Sequence, residues 1–199
     1  MIITKDEMIN LVQRLKPKIF NNEKQFQFEL ALELKDYFNS LGRSCQIHFE
    51  YRSEKGNHYY DLVLEENGEF CPIELKHKTI VHKAQDLGRY DFLKDVERLE
   101  HFKMNNPNKK NDNGYAIILT DDKVYWEKDG AKFNYCEFAI KDGDTIKAGA
   151  KNWVAKTPLT PQQLKAKYGF RANAIDTKSY SINWDNYYSN YRFLLFEIK

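Results

Sequence analysis

Two carboxylates and a lysine are spaced around a turn in a way that would let them work on a phosphate. Asp61 lies in Tyr59-Tyr60-Asp61-Leu62-Val63-Leu64, Glu74 and Lys76 lie in Phe70-Cys71-Pro72-Ile73-Glu74-Leu75-Lys76, and Asn67-Gly68 falls between them. Asn-Gly is the strongest short-range signal for a two-residue hairpin turn, because both central residues need positive φ. With Asn67 and Gly68 as the loop, Glu66 faces Glu69 and each step outward pairs the next residues, which brings Asp61 opposite Glu74. Counted from the hydrogen-bonded closing pair, Asp61 and Glu74 fall at a non-hydrogen-bonded position, where Cα atoms approach to roughly 4.5 Å. The two-residue period places Lys76 on the same face. Pro72, opposite Val63, also falls at a non-hydrogen-bonded position and so removes no bond from the hairpin. Leu62, Leu64, Cys71, Ile73 and Leu75 project from the other face, so the hairpin reads as one core face and one acidic face.

Directly opposed carboxylates repel each other and destabilise a hairpin. A divalent cation accounts for them. Magnesium prefers hard oxygen ligands and keeps several waters, so one or two carboxylates plus a substrate phosphate make a natural site. Such an ion acidifies a bound water and neutralises phosphate charge, while Lys76 can orient or deprotonate that water and stabilise developing charge. The chemistry implied is phosphodiester hydrolysis; the structural alternative is a salt-bridged solvent face of an ordinary hairpin.

The elements around the hairpin follow from periodicity. Met8, Ile9, Leu11, Val12 and Leu15 predict a helix from Lys5 to Leu15, stopped by Pro17. Phe26, Leu30, Leu34, Tyr37 and Leu41 predict a longer helix after the Asn21-Asn22 cap, ended by Gly42. Glu29 and Glu33 sit beside its apolar stripe, one turn apart. Strands are expected at Cys45 to Tyr51, Tyr59 to Leu64 and Phe70 to Leu75, then a helix from Asp91 to Phe102 and an interior strand at Tyr115 to Thr120. Asp91, Asp95, Arg98 and Glu100 read as the solvated or salt-bridged surface of that second long helix. Further strand is expected at Val124 to Trp126, at Phe133 to Ile140 and at Tyr191 to Ile198, the last closing the sheet.

The 199 residues, 42% hydrophobic and 30% charged, suit one soluble globular domain. No apolar run approaches the length of about 20 that spans a bilayer, and no export signal opens the chain, so a cytoplasmic location is expected. Cys45, Cys71 and Cys136 form no CxxC pair, and the five histidines have neither H-x-H nor HExxH spacing, so neither a disulfide framework nor zinc is indicated. A net charge of +2 leaves the partner open. Between Lys141 and Lys178, however, lysines and Arg171 outnumber acids and interleave with Trp153, Tyr168, Phe170 and Tyr180, a mixture that suits phosphate contacts and base stacking as well as it suits a solvated loop region.

Tyr60-Asp61 and Glu74-Leu75-Lys76, set in the order helix, three strands, helix, strand, resemble the PD-(D/E)XK nuclease superfamily. That pattern has a carboxylate at the end of one strand and E-x-K on the next. The resemblance covers roughly Gln25 to Thr120, with Tyr60 where the pattern has proline. It implies an α/β fold with a restriction endonuclease-like αβββαβ core: a central mixed four-stranded sheet flanked by helices, about residues 20–121, with a C-terminal β-containing elaboration over about 122–199. It also implies a Mg2+-dependent deoxyribonuclease of restriction or DNA-repair type, with Mn2+ substituting. Asp61 and Glu74 would bind metal and Lys76 would serve the nucleophile. A glutamate on the preceding helix often joins such a metal site, which points to Glu29, and some members carry a glutamine beside it, which points to Gln85. Rival readings are a non-catalytic nuclease-fold module binding DNA or a partner protein, and an RNA-directed nuclease. A homodimer and a subunit of a larger assembly are both compatible with the sequence.

Overall fold

Helix α1 (Lys5–Arg14) starts at Thr4, whose hydroxyl accepts the Glu7 N–H while the Glu7 carboxylate takes the Thr4 N–H at 2.7 Å, a reciprocal cap that satisfies two orphan donors. Helix α2 (Glu23–Ser40) starts where the Asn22 side chain accepts the Gln25 N–H at 2.9 Å. Its Phe26, Leu30, Leu34 and Phe38 are fully buried, each worth about 1.5–3 kcal/mol relative to exposure. These and the elements below belong to a computed structural model that describes residues 1–82, 84–111, 113–127, 136–154 and 159–199.

Strands β1 (Gln46–Arg52), β2 (Tyr59–Glu66) and β3 (Glu69–Lys78) form an antiparallel meander. The β2–β3 turn has φ of 52° at Asn67 and 76° at Gly68, the double positive φ that Asn-Gly predicts. The register is the expected one: Glu66 pairs with Glu69, Leu64 with Cys71, Val63 with Pro72 and Leu62 with Ile73. On its other edge β3 pairs in parallel with Lys110–Asn111 at Glu69 and Phe70, and with β4 (Gly114–Thr120) from Ile73 to Lys78. Pro72 lies in the gap between these two ladders, where its missing N–H costs nothing. A Cβ on Gly114 would lie 3.0 Å from the Pro72 carbonyl, a tight contact that glycine avoids.

Helix α3 (Gln85–Glu100) makes the crossover from β3 to β4. It begins at Gln85, six residues before the expected Asp91, and holds Gly88 inside it against Tyr125: a Cβ there would lie 2.0 Å from the Tyr125 hydroxyl. Val124–Glu127 is a helical turn and not the expected strand, since the Asp122 carboxylate accepts the Val124 N–H at 3.1 Å and nucleates it. Of the strand expected over 133–140, residues 133–135 lie outside the described residues, and Cys136–Phe138 forms a 3-10 turn. Beyond the short helix α4 (Pro161–Tyr168), strands β5 (Trp184–Asn186) and β6 (Arg192–Ile198) complete the sheet. Its order is β1-β2-β3-β4-β6-β5, seven strands with Lys110–Asn111 included, so the expected four are extended by β6 and then by β5 at the edge.

The fold is thus α/β, a mixed sheet with helices on both faces. One face packs Leu62, Leu64, Cys71, Ile73 and Leu75 against α1 and α2, as the hairpin pattern predicts. The opposite face is not a solvated acidic surface: Val63, Phe70, Ala116 and Ile118 pack under Phe92, Val96 and Leu99 of α3. A parallel crossover forces this, because it lays a helix over the strands it joins, and all seven residues of β4 are buried in consequence. Among the described residues no helix is long and apolar enough to cross a membrane.

Candidate active site

The β2–β3 ladder stops at Leu62 and Ile73, one step short of Asp61 and Glu74. The β1–β2 ladder also skips this level, passing from the Phe49–Leu62 pair to the Tyr51–Tyr60 pair around Glu50, which has φ of 48°. Into the opening goes the Asp61 carboxylate, whose Oδ2 accepts the Leu75 N–H at 2.7 Å, while the Gln27 amide donates to the Asp61 carbonyl. Asp61 is therefore fastened to the backbone of β3 beside Glu74 rather than paired with it side by side.

Glu74 points under α3 and is 3% exposed. Its Oε1 accepts from Arg98 Nη1 at 2.8 Å, and the same nitrogen lies 3.0 Å from Asp95 Oδ1. Burial pushes the Glu74 pKa well above the ordinary carboxylate value, and the charges of Asp95 and Asp61 add to the rise against the pull of Arg98 and Lys76. Asp95 is raised as well, first by burial. Lys76 Nζ sits 2.8 Å from Asp95 Oδ2 and 3.6 Å from Glu23 Oε1. Burial works against its charge, but Asp95, Glu23 and Asp61 together outweigh burial and hold the ammonium above the usual lysine value. Glu23, in the first turn of α2, also accepts the His77 N–H at 3.2 Å. Its pKa is raised by burial, opposed by Lys76 and reinforced by Asp61.

Asp61, Glu74 and Lys76 are thus brought together, and Glu23, Asp95 and Arg98 join them. Glu29 does not: it pairs with Lys18, and it lies six residues, roughly 9 Å of helix, beyond Glu23. Gln85 donates to Asp122 Oδ2 at 2.7 Å in a separate pocket of about 210 Å³ lined by Lys78, Asp91, Tyr125 and Arg171. On α3, Asp91 is bound to Arg171 and Glu100 accepts from Tyr180, as surface ion pairs and hydrogen bonds would be, but Asp95 and Arg98 turn inward. A signal for Asp95 was present in its position, one residue before Val96 and three after Phe92, on the border of the apolar stripe. Nothing comparable marked Glu23 apart from its place next to the Asn22 cap. The aromatic residues of the basic stretch are mostly core: Trp153 and Tyr168 are buried and stacked with centroids 4.0 Å apart, Tyr180 packs on Phe196, and of the four only Phe170 is largely exposed.

The chain matches no known protein family, no curated protein and no solved structure. The site is therefore read from its own chemistry. Glu23, Asp61, Glu74 and Asp95 supply four carboxylates against two cations, Lys76 and Arg98, in a largely buried setting. Among the described residues no group of three or more His, Cys, Asp or Glu side chains is placed to hold a metal ion by itself; Asp61 and Glu74 are the pair of hard oxygen donors that a divalent cation keeping several of its waters would take.

Proposed function

We propose that this chain is a divalent-metal-dependent nuclease of the PD-(D/E)XK type, hydrolysing phosphodiester bonds in DNA. The observation that carries the reading is the Asn67-Gly68 register, which brings Asp61 to the level of Glu74 and Lys76 at the point where the β2–β3 ladder opens. The order helix, three antiparallel strands, crossover helix and parallel strand supports the same reading. A bound Mg2+ or Mn2+ would supply an acidified water and charge neutralisation at the phosphate. Asp61 is fixed for that task by the Leu75 N–H, and Glu74 is held under α3. Lys76, an ammonium braced by Asp95, acts as a donor that orients the attacking water and offsets charge on the phosphate. Asp95 is a positioning residue, acting through Lys76.

The test is incubation of the purified protein with plasmid DNA in Mg2+ or Mn2+, with an RNA of matched length alongside. Nicking or cutting of DNA that disappears in Asp61→Ala and in Lys76→Ala is the expected result. Undiminished cutting by both variants would sink the assignment, and preferential cutting of RNA would redirect it. One observation favours a second reading, a non-catalytic module: Glu74 and Asp95 already have cationic partners in Arg98 and Lys76. In that case Mg2+ would not bind, and Glu74→Gln would leave DNA affinity unchanged.

A further inference from the structure

Arg98 stands on the last turn of α3, directly over the carboxylate that the nuclease reading assigns to a metal. It is the more exposed of the two cations in the site, 26% against 15% for Lys76. One guanidinium nitrogen makes both of its carboxylate contacts, 2.8 Å to Glu74 and 3.0 Å to Asp95. The geometry points to Arg98 as a displaceable counter-ion, which occupies Glu74 until a divalent cation takes that carboxylate and then turns onto the substrate phosphate. This inference rests on the nuclease reading above.

Three features argue for exchange rather than for a permanent clamp. A guanidinium and a divalent ion cannot share Glu74 without repulsion, and the ion brings the larger charge to a cluster with a surplus of carboxylates. Asp95 supplies a pivot: its Oδ1 keeps Arg98 at 3.0 Å while its Oδ2 keeps Lys76 at 2.8 Å, so loss of the Glu74 contact leaves the arginine anchored within the site. The residue is also suited to its second position, because the guanidinium has five donors in a planar fork that matches a phosphate's oxygens. A group released from Glu74 is already beside any phosphate drawn to that carboxylate by a cation, so no large motion is needed.

The experiment uses the full chain and two titrations. Mn2+ alone is titrated by calorimetry into wild type, Arg98→Met, Arg98→Lys and Glu74→Gln. DNA affinity is followed by fluorescence anisotropy of a labelled duplex, with and without Ca2+. Wild type should bind Mn2+ and Glu74→Gln should not; if wild type fails to bind, or Glu74→Gln binds equally well, the nuclease reading itself falls and the inference with it. Given that binding, Arg98→Met should take Mn2+ about tenfold more tightly, because the competitor is gone, and Arg98→Lys should stay near wild type. Added Ca2+ should raise the DNA affinity of wild type by about tenfold and raise that of Arg98→Met far less, while the metal-free affinities stay equal. Unchanged or weaker Mn2+ binding in Arg98→Met, or an equal Ca2+-dependent gain in both proteins, would show a fixed structural clamp and overturn the proposal. If Arg98→Met melts below the assay temperature, Arg98→Lys decides through the Ca2+-dependent gain, which loss of the fork should reduce.

Discussion

Replacing Glu74 by glutamine should stabilise the protein while disabling the site. Glu74 is 3% exposed, and burial together with Asp95 and Asp61 disfavours its charge more than Arg98 and Lys76 favour it. A glutamine keeps an oxygen for Arg98, and Arg98 keeps Asp95 at 3.0 Å, so no cation is orphaned. The expected gain is about 1–2 kcal/mol at neutral pH, the order of the cost of burying a polar group whose surroundings do not favour it. For a chain of this length that raises Tm by roughly 2–8 °C. The sign of the pH dependence follows from the raised folded-state pKa. The contribution of Glu74 is fully favourable below its unfolded pKa and is lost as pH rises through the folded value. The advantage of Glu74→Gln should therefore vanish in acid and grow toward neutral pH. Glu7 and Glu66, lowered by their bonds to Tyr37 and Arg43, titrate alike in both proteins and cancel from the comparison. Thermal melts of both proteins across that pH range provide the assay. Saturating Mn2+, worth about 2.7 kcal/mol at a hundred times Kd, should then stabilise wild type alone and reverse the order. A Glu74→Gln protein that melts at or below wild type at neutral pH, or whose advantage persists in acid, would refute the surplus-charge argument.

Gly68→Ala should cost about 1–2 kcal/mol from its left-handed φ alone, since an added Cβ would meet nothing within 4 Å; Gly68→Asn should recover most of the loss in the same melts. Glu23→Gln should weaken Mn2+ binding by roughly tenfold in calorimetry, whereas Glu29→Gln, which only loses an exposed Lys18 partner worth at most about 1 kcal/mol, should leave it unchanged. Trp153→Ala should cost about 3–5 kcal/mol as a buried, stacked aromatic, while Phe170→Ala, 74% exposed, should stay within about 0.5 kcal/mol of wild type by denaturant titration.

What was legible in the sequence was local or strictly periodic. Asn67-Gly68 set the hairpin register, Asn22 marked the start of α2, and the run from Tyr115 to Thr120 announced a strand buried on both faces. Where a residue's role depends on a distant partner, local rules failed. The first six residues of α3, Gln85 to Tyr90, lie outside the expected helix, and Gly88 among them fits because the Tyr125 side chain packs where a Cβ would be. Val124 to Trp126 has the composition of a strand, and a single Asp122 cap turns it into a helix. Trp153 and Tyr168, which suited a stacking platform and a solvated loop region equally, are core, and nothing in their sequence neighbourhood states that they face each other there.

The site divides along the same line. Asp61, Glu74 and Lys76 come from one hairpin, so a turn and a period suffice to align them. Asp95 and Arg98 enter only because the parallel crossover lays α3 over β3, and Glu23 only because the start of α2 reaches Lys76 and His77. Those three non-local charges change the chemistry more than they change the geometry. Without them Lys76 would be a lysine beside two carboxylates; with Asp95 and Glu23 against it, the ammonium form is favoured in spite of burial. The same packing makes Glu74 costly, since burial and the neighbouring carboxylates both oppose its charge.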